Sequence, residues 1–380
     1  MNRNIIIFGL VSLFTDVSSE MIYPLVPLYL TAVLGASPAT LGIIEGIAES
    51  MASLLKIFSG RISDRLAKRK PLAIAGYGLS AVGKVLFVFA SSWVGILWAR
   101  VADRFGKGIR TAPRDALIAD SSDADNKGQA FGLHRAMDTA GAVIGIGLAY
   151  WLFTHYQGDY ITVFLLSIIP AVIGVLLLFL ITERGKMAAG KIKDLKFSWY
   201  GLDSRLRYYI IISFIFNLGN SSNQFLLVRA GTVGFSAEQV ILLYLLMNVT
   251  YLLISYPAGR LSDQIGRRTL LSIGYLIYGL VYMGFATVDS SVILIGLFGI
   301  YGLYIGLTEG IEKAFLADMA PSSQKASVYG LHALIVGIAV LPASVIAGFL
   351  WDIFGAAAPF WFGGAMGLSA AVGVWFGLKN

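Results

Sequence analysis

The chain of 380 residues is 57% hydrophobic and 13% charged, and its mean hydropathy is +0.75. Soluble globular domains do not have this balance, so the composition predicts a polytopic membrane protein. Cysteine is absent and only three histidines occur. This leaves no thiol chemistry, no thiolate metal site and little material for a nucleophile–base pair. We therefore expect neither an enzyme nor a bound cofactor or metal.

Apolar segments long enough to cross a bilayer as helices, about 20 residues each, recur along the whole sequence. The alternating pattern of barrel strands appears nowhere, so we expect an all-α membrane protein with twelve transmembrane helices. The twelve segments lie near residues 4–32, 38–59, 71–91, 93–117, 128–154, 160–182, 207–231, 236–258, 269–287, 290–316, 325–350 and 357–378.

The two halves of the sequence repeat each other at a spacing of about 198 residues. Gly60-Arg-Ile-Ser-Asp64 returns as Gly259-Arg-Leu-Ser-Asp263, and Gly132-Leu-His134 returns as Gly330-Leu-His332. Both copies carry the same basic loop between apolar segments. A tandem duplication of this kind predicts two halves that cross the membrane in the same orientation.

Most of the 29 Lys and Arg residues fall in the chain ends and in the loops after even-numbered segments. By the positive-inside rule these parts face the cytoplasm, so both termini are expected there, in a bacterial-type inner membrane. The net charge of +7 reflects this asymmetry, and we infer no nucleic-acid partner from it. The duplication then predicts two pseudo-symmetric six-helix bundles at 1–182 and 207–380, joined by a cytoplasmic linker at 183–206.

The fourth apolar segment carries a row of charges. At 100° per residue, Asp103, Lys107, Arg110 and Arg114 fall within about 60° on one helical face. An ionised side chain facing lipid would cost about 2.5–3.5 kcal/mol, so this face must line water or pair with acids. We expect a functional role for Arg104 and Lys107, which lie nearer mid-depth. Arg110 and Arg114 could instead form structural pairs at the cytoplasmic mouth.

Acids on other segments can face these cations, and helical spacing places them in patches. Acids crowded in a partly desolvated site can take up and release a proton when their surroundings change. This pattern favours proton coupling, with a static lattice of ion pairs as the alternative. The proton-coupling candidates are Asp16, Glu20, Glu45, Glu49, Asp138, Arg104 and His134.

The second half presents neutral hydrogen-bonding and aromatic faces instead. The division suggests that the first half handles charge while the second supplies polar contacts to a substrate. Such stripes can also bond helix to helix. We add three cations of the first half to these candidate substrate contacts. The full set is Lys107, Arg110, Arg135, Asn217, Ser221, Gln224, Asn248, Tyr251, Tyr304, Glu309 and Glu312.

The repeated loops resemble the signature G-x-L-a-D-r-x-G-r-k of the major facilitator superfamily, which lies between its second and third helices. The second copy has Gly266 at the second glycine position, where the first has Ala67. The resemblance covers essentially the whole chain. It implies two bundles that alternate access to a central site, with the loops as cytoplasmic latches. We assign gating to Gly60, Asp64, Arg65, Arg69, Arg114, Gly259, Asp263 and Arg267.

Two further stretches resemble drug/proton antiporters of that superfamily. Arg104-Phe-Gly-Lys107-Gly108 is similar to the fourth-helix motif R-x-x-q-G, whose Arg is tied to proton coupling, although Lys107 replaces a neutral residue. The fifth-helix signature G-x-x-x-G-P-x-x-G-G is half present, because Gly141 and Gly145 match while Ile146 replaces the proline. These likenesses favour export by antiport.

The sequence thus predicts a proton-coupled secondary active transporter that works by alternating access and exports a small organic compound, as a monomer in the bilayer. The basic cluster of Arg104, Lys107, Arg110 and Arg135 would also suit an anionic substrate, such as an organic acid, a phosphate ester or an iron–citrate-like chelate. A divalent metal exporter, which would use the acids, and a lipid flippase are further alternatives.

Overall fold

The computed structural model describes residues 2–66, 69–122, 127–182, 202–320 and 325–378. At 61, 64–66, 127–128 and 325–327 the description covers the backbone alone. Nearly all of the described residues are helical, and none of them lies in a strand.

The first half of the chain forms six helices, α1 to α6, separated by short connections. In chain order they are Arg3–Val33, Pro38–Leu66, Arg69–Val88, Trp93–Asp120, Lys127–His155 and Tyr160–Phe179.

The second half repeats this pattern with helices α7 to α12, of which α7 is split into α7a and α7b. In chain order they are Ser204–Gly219 with Gln224–Thr232, Ala237–Ile265, Arg267–Thr287, Ser291–Met319, Lys325–Phe354 and Ala358–Gly377.

Nine of the helices in the described residues are long and apolar enough to cross a membrane on length and composition alone. The other three are α2, α4 and α7. Helices α2 and α4 carry charges along their length, such as Glu49, Lys56 and Arg104, and α7 is interrupted. The expected all-α fold of twelve helices is confirmed.

Two helices extend farther than the apolar pattern indicates. The segments read from the sequence ended near 59 and 258, whereas α2 ends at Leu66 and α8 at Ile265. The polar loop motif continues the helix beyond the apolar stretch in both halves. Helix α8 then stops at Gly266, whose φ of +89° is accessible to glycine at little cost.

Breaks in α1 and α7 are features that the sequence pattern did not reveal. Helix α1 turns at Tyr23 and Pro24, where the proline has no N–H to continue the backbone ladder, and it widens to a π-helical turn at Tyr29–Val33. Helix α7 leaves the helical path at Asn220. Such breaks free backbone groups for other partners, and they often mark functional positions.

Contacts between residues divide the chain into two compact units. The first comprises Met1–Ala36 and Ile47–Lys193, and the second comprises Ser37–Gly46 and Asp194–Asn380. By its contacts the start of α2 therefore belongs with the second unit. The predicted linker lies mostly outside the described residues, so its limits stay a prediction.

Both units have the same pair of charge contacts at the ends of their helices. In the first unit Arg69 forms an ion pair with Asp120, and in the second Arg267 pairs with Asp318. Lys70 donates to the carbonyl of Ile181, 2.6 Å away, just beyond the last turn of α6, and Arg268 donates likewise to Trp375 near the end of α12. The duplicated sequence thus forms duplicated contacts.

Helices α3 and α4 approach each other closely. A Cβ at Gly106 would collide with the carbonyl oxygen of Gly76 and with Ser80. The absence of side chains at these glycines brings the two backbones together, which places the polar side chains of α3 directly against those of α4.

Candidate functional site

A buried ion pair joins α3 to α4 in the first unit. The Nζ of Lys84 lies 2.9 Å from Oδ1 of Asp103, and each side chain is only 3% exposed. Lys84 also lies 3.2 Å from the hydroxyl of Ser19 on α1. Ser80 donates to the carbonyl of Asp103 at 2.9 Å. Asp103 is thereby fixed by both its side chain and its backbone.

The neighbouring residue on α4, Arg104, contacts α2. Its Nε lies 2.8 Å from Oε1 of Glu49, and a terminal nitrogen of Arg100 lies 3.8 Å from the same oxygen. The guanidinium of Arg100 also lies over the ring of Tyr23, 5.4 Å from its centroid. The structure thus brings the predicted acid of α2 against two cations of α4.

A second acidic group lies between α1 and α5. The carboxyl groups of Asp16 and Asp138 face each other within hydrogen-bonding range. Asp138 accepts a hydrogen bond of 2.7 Å from Ser12 and forms a 3.4 Å ion pair with Arg135. Oδ2 of Asp16 is buried, and no donor reaches it among the described residues.

The remaining predicted cations of α4 lie near these acids. Lys107 is close enough to act on the charges of both Glu49 and Asp16, and Arg110 acts on Asp16. Arg110 donates to Ser80 at 2.8 Å and stacks over Tyr77 at 4.3 Å.

At the end of this group, Arg114 forms an ion pair with the adjacent Asp115 at 2.8 Å. His134 of α5 is 6% exposed, and the charges of Arg114, Asp115 and Asp138 surround it. Its Nε2 is buried without a hydrogen bond among the described residues.

Two other predicted acids are Glu45 and Glu20. Glu45 is fully buried in the segment that belongs with the second unit, where it accepts a 3.2 Å hydrogen bond from Ser222. Glu20 lies on α1, where its Cβ packs against Gly145 of α5. Glu45 and Glu49 lie about one turn apart on α2, but the contacts described here for each of them belong to different units.

The main polar cluster of the second unit surrounds Glu312 on α10. Its Oε1 accepts hydrogen bonds from the hydroxyls of Tyr209 and Tyr275, at 3.0 and 3.1 Å. The Nε2 of His332 lies 3.3 Å from the same oxygen and 2.9 Å from the hydroxyl of Ser213. Side chains from four helices, α7a, α9, α10 and α11, meet at this carboxylate.

Buried aromatic rings extend from this cluster to the break in α7. Tyr278 donates to the carbonyl of Gly219 at 2.8 Å, and Tyr301 donates to Oδ1 of Asn223 at 2.7 Å. Tyr304, a predicted substrate contact, packs in the same group at 5.0 Å from the ring of Tyr278. The tyrosine hydroxyls thus bind polar groups exposed by the interrupted helix.

The other predicted contacts of the second half lie in several settings. Asn217 and Asn248 each donate to a carbonyl one turn back on their own helix. Gln224, at the start of α7b, is fully buried, and neither end of its amide has a partner among the described residues. Ser221 is buried in the α7 break, and Tyr251 and Glu309 are partly exposed on α8 and α10.

Of the predicted gating residues, Arg69 and Arg267 form the repeated pairs given above, and Asp263 lies 3.5 Å from Arg267. Gly60 packs near Ala112 of α4, whereas Gly259 has open space around it. The side chains of Asp64 and Arg65 lie outside the described residues.

Several residues of these clusters were not among the sequence-based candidates, namely Lys84, Asp103, Ser213 and His332. Lys84 and Asp103 were visible only as charges within apolar segments, and His332 only as the repeat of His134. Which helices pack together is decided in three dimensions, so their partners could not be read from spacing. Among the described residues, no group of three or more His, Asp or Glu is suited to a metal ion.

Comparison with known proteins agrees with this architecture. The sequence pattern of the Major Facilitator Superfamily matches residues 8–228 and 209–380. An uncharacterized MFS-type transporter of Methanocaldococcus jannaschii is 36% identical over 359 residues, which cover 93% of this chain and 89% of that protein. Multidrug resistance protein MdtH of Cronobacter sakazakii is 27% identical over 349 residues, covering 87% and 82% of the two chains.

Solved structures show the same fold at low identity. The nucleoside transporter NupG matches with a TM-score of 0.80 at 12% identity, covering 100% of this chain and 100% of that one. The D-xylose–proton symporter matches with a TM-score of 0.77 at 17% identity, covering 99% and 97%. The fold and the buried charges define a membrane transporter rather than an enzyme. The chain belongs to the Major Facilitator Superfamily.

Proposed function

We propose that this chain is a proton-coupled secondary transporter that exports a small organic compound across the inner membrane by alternating access, with both termini in the cytoplasm. The observation that carries the proposal is the facing pair of carboxyls, Asp16 on α1 and Asp138 on α5. Similarity to a protein named for multidrug resistance supports export, and the cation-rich loops support the orientation.

Two carboxyl groups at hydrogen-bonding range favour a state in which one proton is held between them. The hydroxyl of Ser12 and the guanidinium of Arg135 fix Asp138, so Asp16 is the less constrained partner. Loss of the shared proton would leave two negative charges in a space with little water. Lys107 and Arg110 are near enough to Asp16 to respond to that change.

This arrangement links a proton to the cationic face of α4. Lys107 acts on both Asp16 and Glu49, and Glu49 binds Arg104. A change of charge at the Asp16–Asp138 pair therefore alters the balance of attractions that holds α1, α2 and α4 together. That is the physical basis for coupling proton binding to a change of conformation.

The substrate in this proposal is a neutral or cationic organic compound. Arg104, Arg110 and Arg135 are each engaged by groups of the protein, namely Glu49, Ser80 with Tyr77, and Asp138. An anionic substrate would have to replace these existing contacts, which makes anion binding less favourable. The neutral face of the second unit, which includes Gln224 and Tyr304, then provides contacts to the substrate.

The proposal is tested in proteoliposomes that enclose a pH-sensitive dye, with ethidium as the first probe of a panel of lipophilic compounds. A transported compound should move protons in the opposite direction. Asp138→Asn should abolish this proton movement. The matched control is Asp159→Asn, which neutralises an exposed acid at the start of α6 and should leave the coupling intact.

If compounds that bind the protein move no protons, or if Asp138→Asn retains wild-type proton movement, proton coupling at this pair is refuted. Ligand-induced increases in thermal stability of the same purified protein identify which compounds bind, and they separate a poor choice of probe from a failure of coupling.

A further inference from the structure

Glu312 is held in an unusual way for an acid inside a membrane helix. Four donor groups converge on one of its oxygens, Oε1: the hydroxyls of Tyr209, Tyr275 and Ser213 and the Nε2 of His332, at 3.0, 3.1, 3.5 and 3.3 Å. Its side chain is 23% exposed. Because four protein donors lie around one oxygen, the charge of this carboxylate is stabilised mainly by the protein and less by water.

His332 is placed to serve two protonation states. When Nε2 carries no proton, it can accept the hydroxyl hydrogen of Ser213 at 2.9 Å. When Nε2 is protonated, it can donate to Oε1 of Glu312 at 3.3 Å. The imidazole also stacks on the ring of Tyr209, nearly parallel at 9°, which holds its plane in one orientation. Both states therefore have a hydrogen-bonding partner without movement of the ring.

The duplication provides an internal comparison for this cluster. His134 is the repeat of His332, and Arg114 lies at the position equivalent to Glu312. In the first unit the histidine therefore lies near a cation that is paired with Asp115. A six-helix half thus folds with no acid at this position. The second half places a carboxylate there instead, although burying one inside a membrane is costly.

We propose that Glu312 and His332 together form a protonation site in the second unit, separate from the Asp16–Asp138 pair. The proton binds the lone pair of Nε2, and the resulting imidazolium is hydrogen bonded to the Glu312 carboxylate. This inference deepens the proposed function and rests on it, because it supplies a second group that can exchange the coupled proton. The surrounding titratable groups are Tyr209, Tyr275, Tyr304 and, one turn away, Glu309.

The chain has only three histidines, which makes a direct test feasible. We suggest nuclear magnetic resonance of the purified full-length protein with ¹⁵N-labelled histidine, assigned with His134→Asn, His155→Asn and His332→Asn. Spectra recorded between about pH 5 and pH 9 should show the Nε2 of His332 both with and without its proton. Glu312→Gln should change that titration and leave the signal of His155 unaffected.

Ser213→Ala provides a second variant, because it removes the partner of the unprotonated ring while Glu312 stays in place. It should also change the titration of His332. A ring that does not titrate in this range, or a titration indifferent to both variants, would overturn the proposal. The measurement needs neither substrate nor transport, so it is independent of the Asp138→Asn experiment. If Asp138→Asn abolishes proton coupling but His332 does not titrate, the proposed function stands and the Glu312–His332 site is excluded.

Discussion

Lys84 and Asp103 form an ion pair of 2.9 Å between α3 and α4, and neither side chain is more than 3% exposed. At the equivalent positions of the second half stand Tyr282 and Tyr301, whose rings lie 6.0 Å apart between α9 and α10. The same place in the same helix pair is thus filled by charge in one unit and by aromatic rings in the other. The fold can form without charge at this position.

Replacing this pair by apolar residues should therefore separate stability from transport. Breaking a buried pair on one side, with Lys84→Met or Asp103→Leu, should lower the free energy of unfolding by about 3–5 kcal/mol because a charge is left uncompensated. The double variant should be as stable as the wild type or up to about 4 kcal/mol more stable. We expect the double variant to have lost transport.

Thermal unfolding in detergent and transport in proteoliposomes measure the two effects on the same preparations. A stable double variant that still transports at the wild-type rate would show that the pair has no part in function. The charge-exchanged variant, Lys84→Asp with Asp103→Lys, keeps the pair neutral and reports whether only the sum of the charges matters.

Asp159 gives a prediction about pH, because it lies outside the membrane-spanning helices. Its carboxylate accepts hydrogen bonds from the hydroxyl of Thr162 and the N–H of Ile161 at the start of α6. The Thr162 bond lowers the pKa of Asp159 below its usual value. The folded state therefore gains stability above the ordinary carboxyl pKa and loses it as the pH falls through the lowered one.

The size of that effect is limited because Asp159 is largely exposed to solvent. Asp159→Ala should cost about 0.5–2 kcal/mol through loss of the helix cap, whereas Asp159→Asn keeps an acceptor and should cost less. Thermal unfolding between about pH 3 and pH 7 checks both points. Equal loss in the two variants would contradict a capping role.

The helices were predictable because apolar length and the repeated loop motif are properties of consecutive residues. The twelve segments agree with the structure to within a few residues at most ends, and the contacts of Arg69 and Arg267 repeat as the sequence repeats. What consecutive residues cannot show is where a helix stops for tertiary reasons. The interruption of α7 at Asn220 is stabilised by Tyr278 and Tyr301 from other helices.

The candidate site was predictable only as a set of charges. The sequence indicated that the cations of α4 would line water or pair with acids such as Glu49, because unpaired charge is costly in a bilayer. It could not show that Asp103 pairs with Lys84, or that Glu45 and Glu49, four residues apart, contact different units. Those outcomes depend on how each helix is rotated against its neighbours.

The repeated ion pairs at the helix ends should contribute little to stability. Asp120 is 41% exposed and Asp318 is 57% exposed. A double-mutant cycle with Arg267→Gln and Asp318→Asn should give a coupling energy of about 0.2–1 kcal/mol, and the cycle with Arg69→Gln and Asp120→Asn should give a similar value. Raising the salt concentration should reduce both. A coupling above about 2 kcal/mol in either cycle would assign that pair a larger structural role than exposed charges have.

The contact of Arg104 with Glu49 should matter more for transport than for folding. Glu49 is 35% exposed, so water can compensate part of its charge when its partner is removed. A contact between charged groups of this kind contributes about 1.5–3 kcal/mol, which corresponds to a loss of about 10- to 150-fold in rate if the contact is made during transport.

We therefore expect Arg104→Ala to reduce transport by at least about tenfold while unfolding stays cooperative. Arg104→Lys keeps the charge but not the planar group, so it should recover only part of the activity. Initial rates in proteoliposomes, compared with Glu49→Gln and with Arg104→Ala in the Glu49→Gln background, identify the interaction. If the fold-losses in rate of the two single variants multiply in the double variant, the two residues act separately. Equal losses in all three variants are the result expected of a working pair.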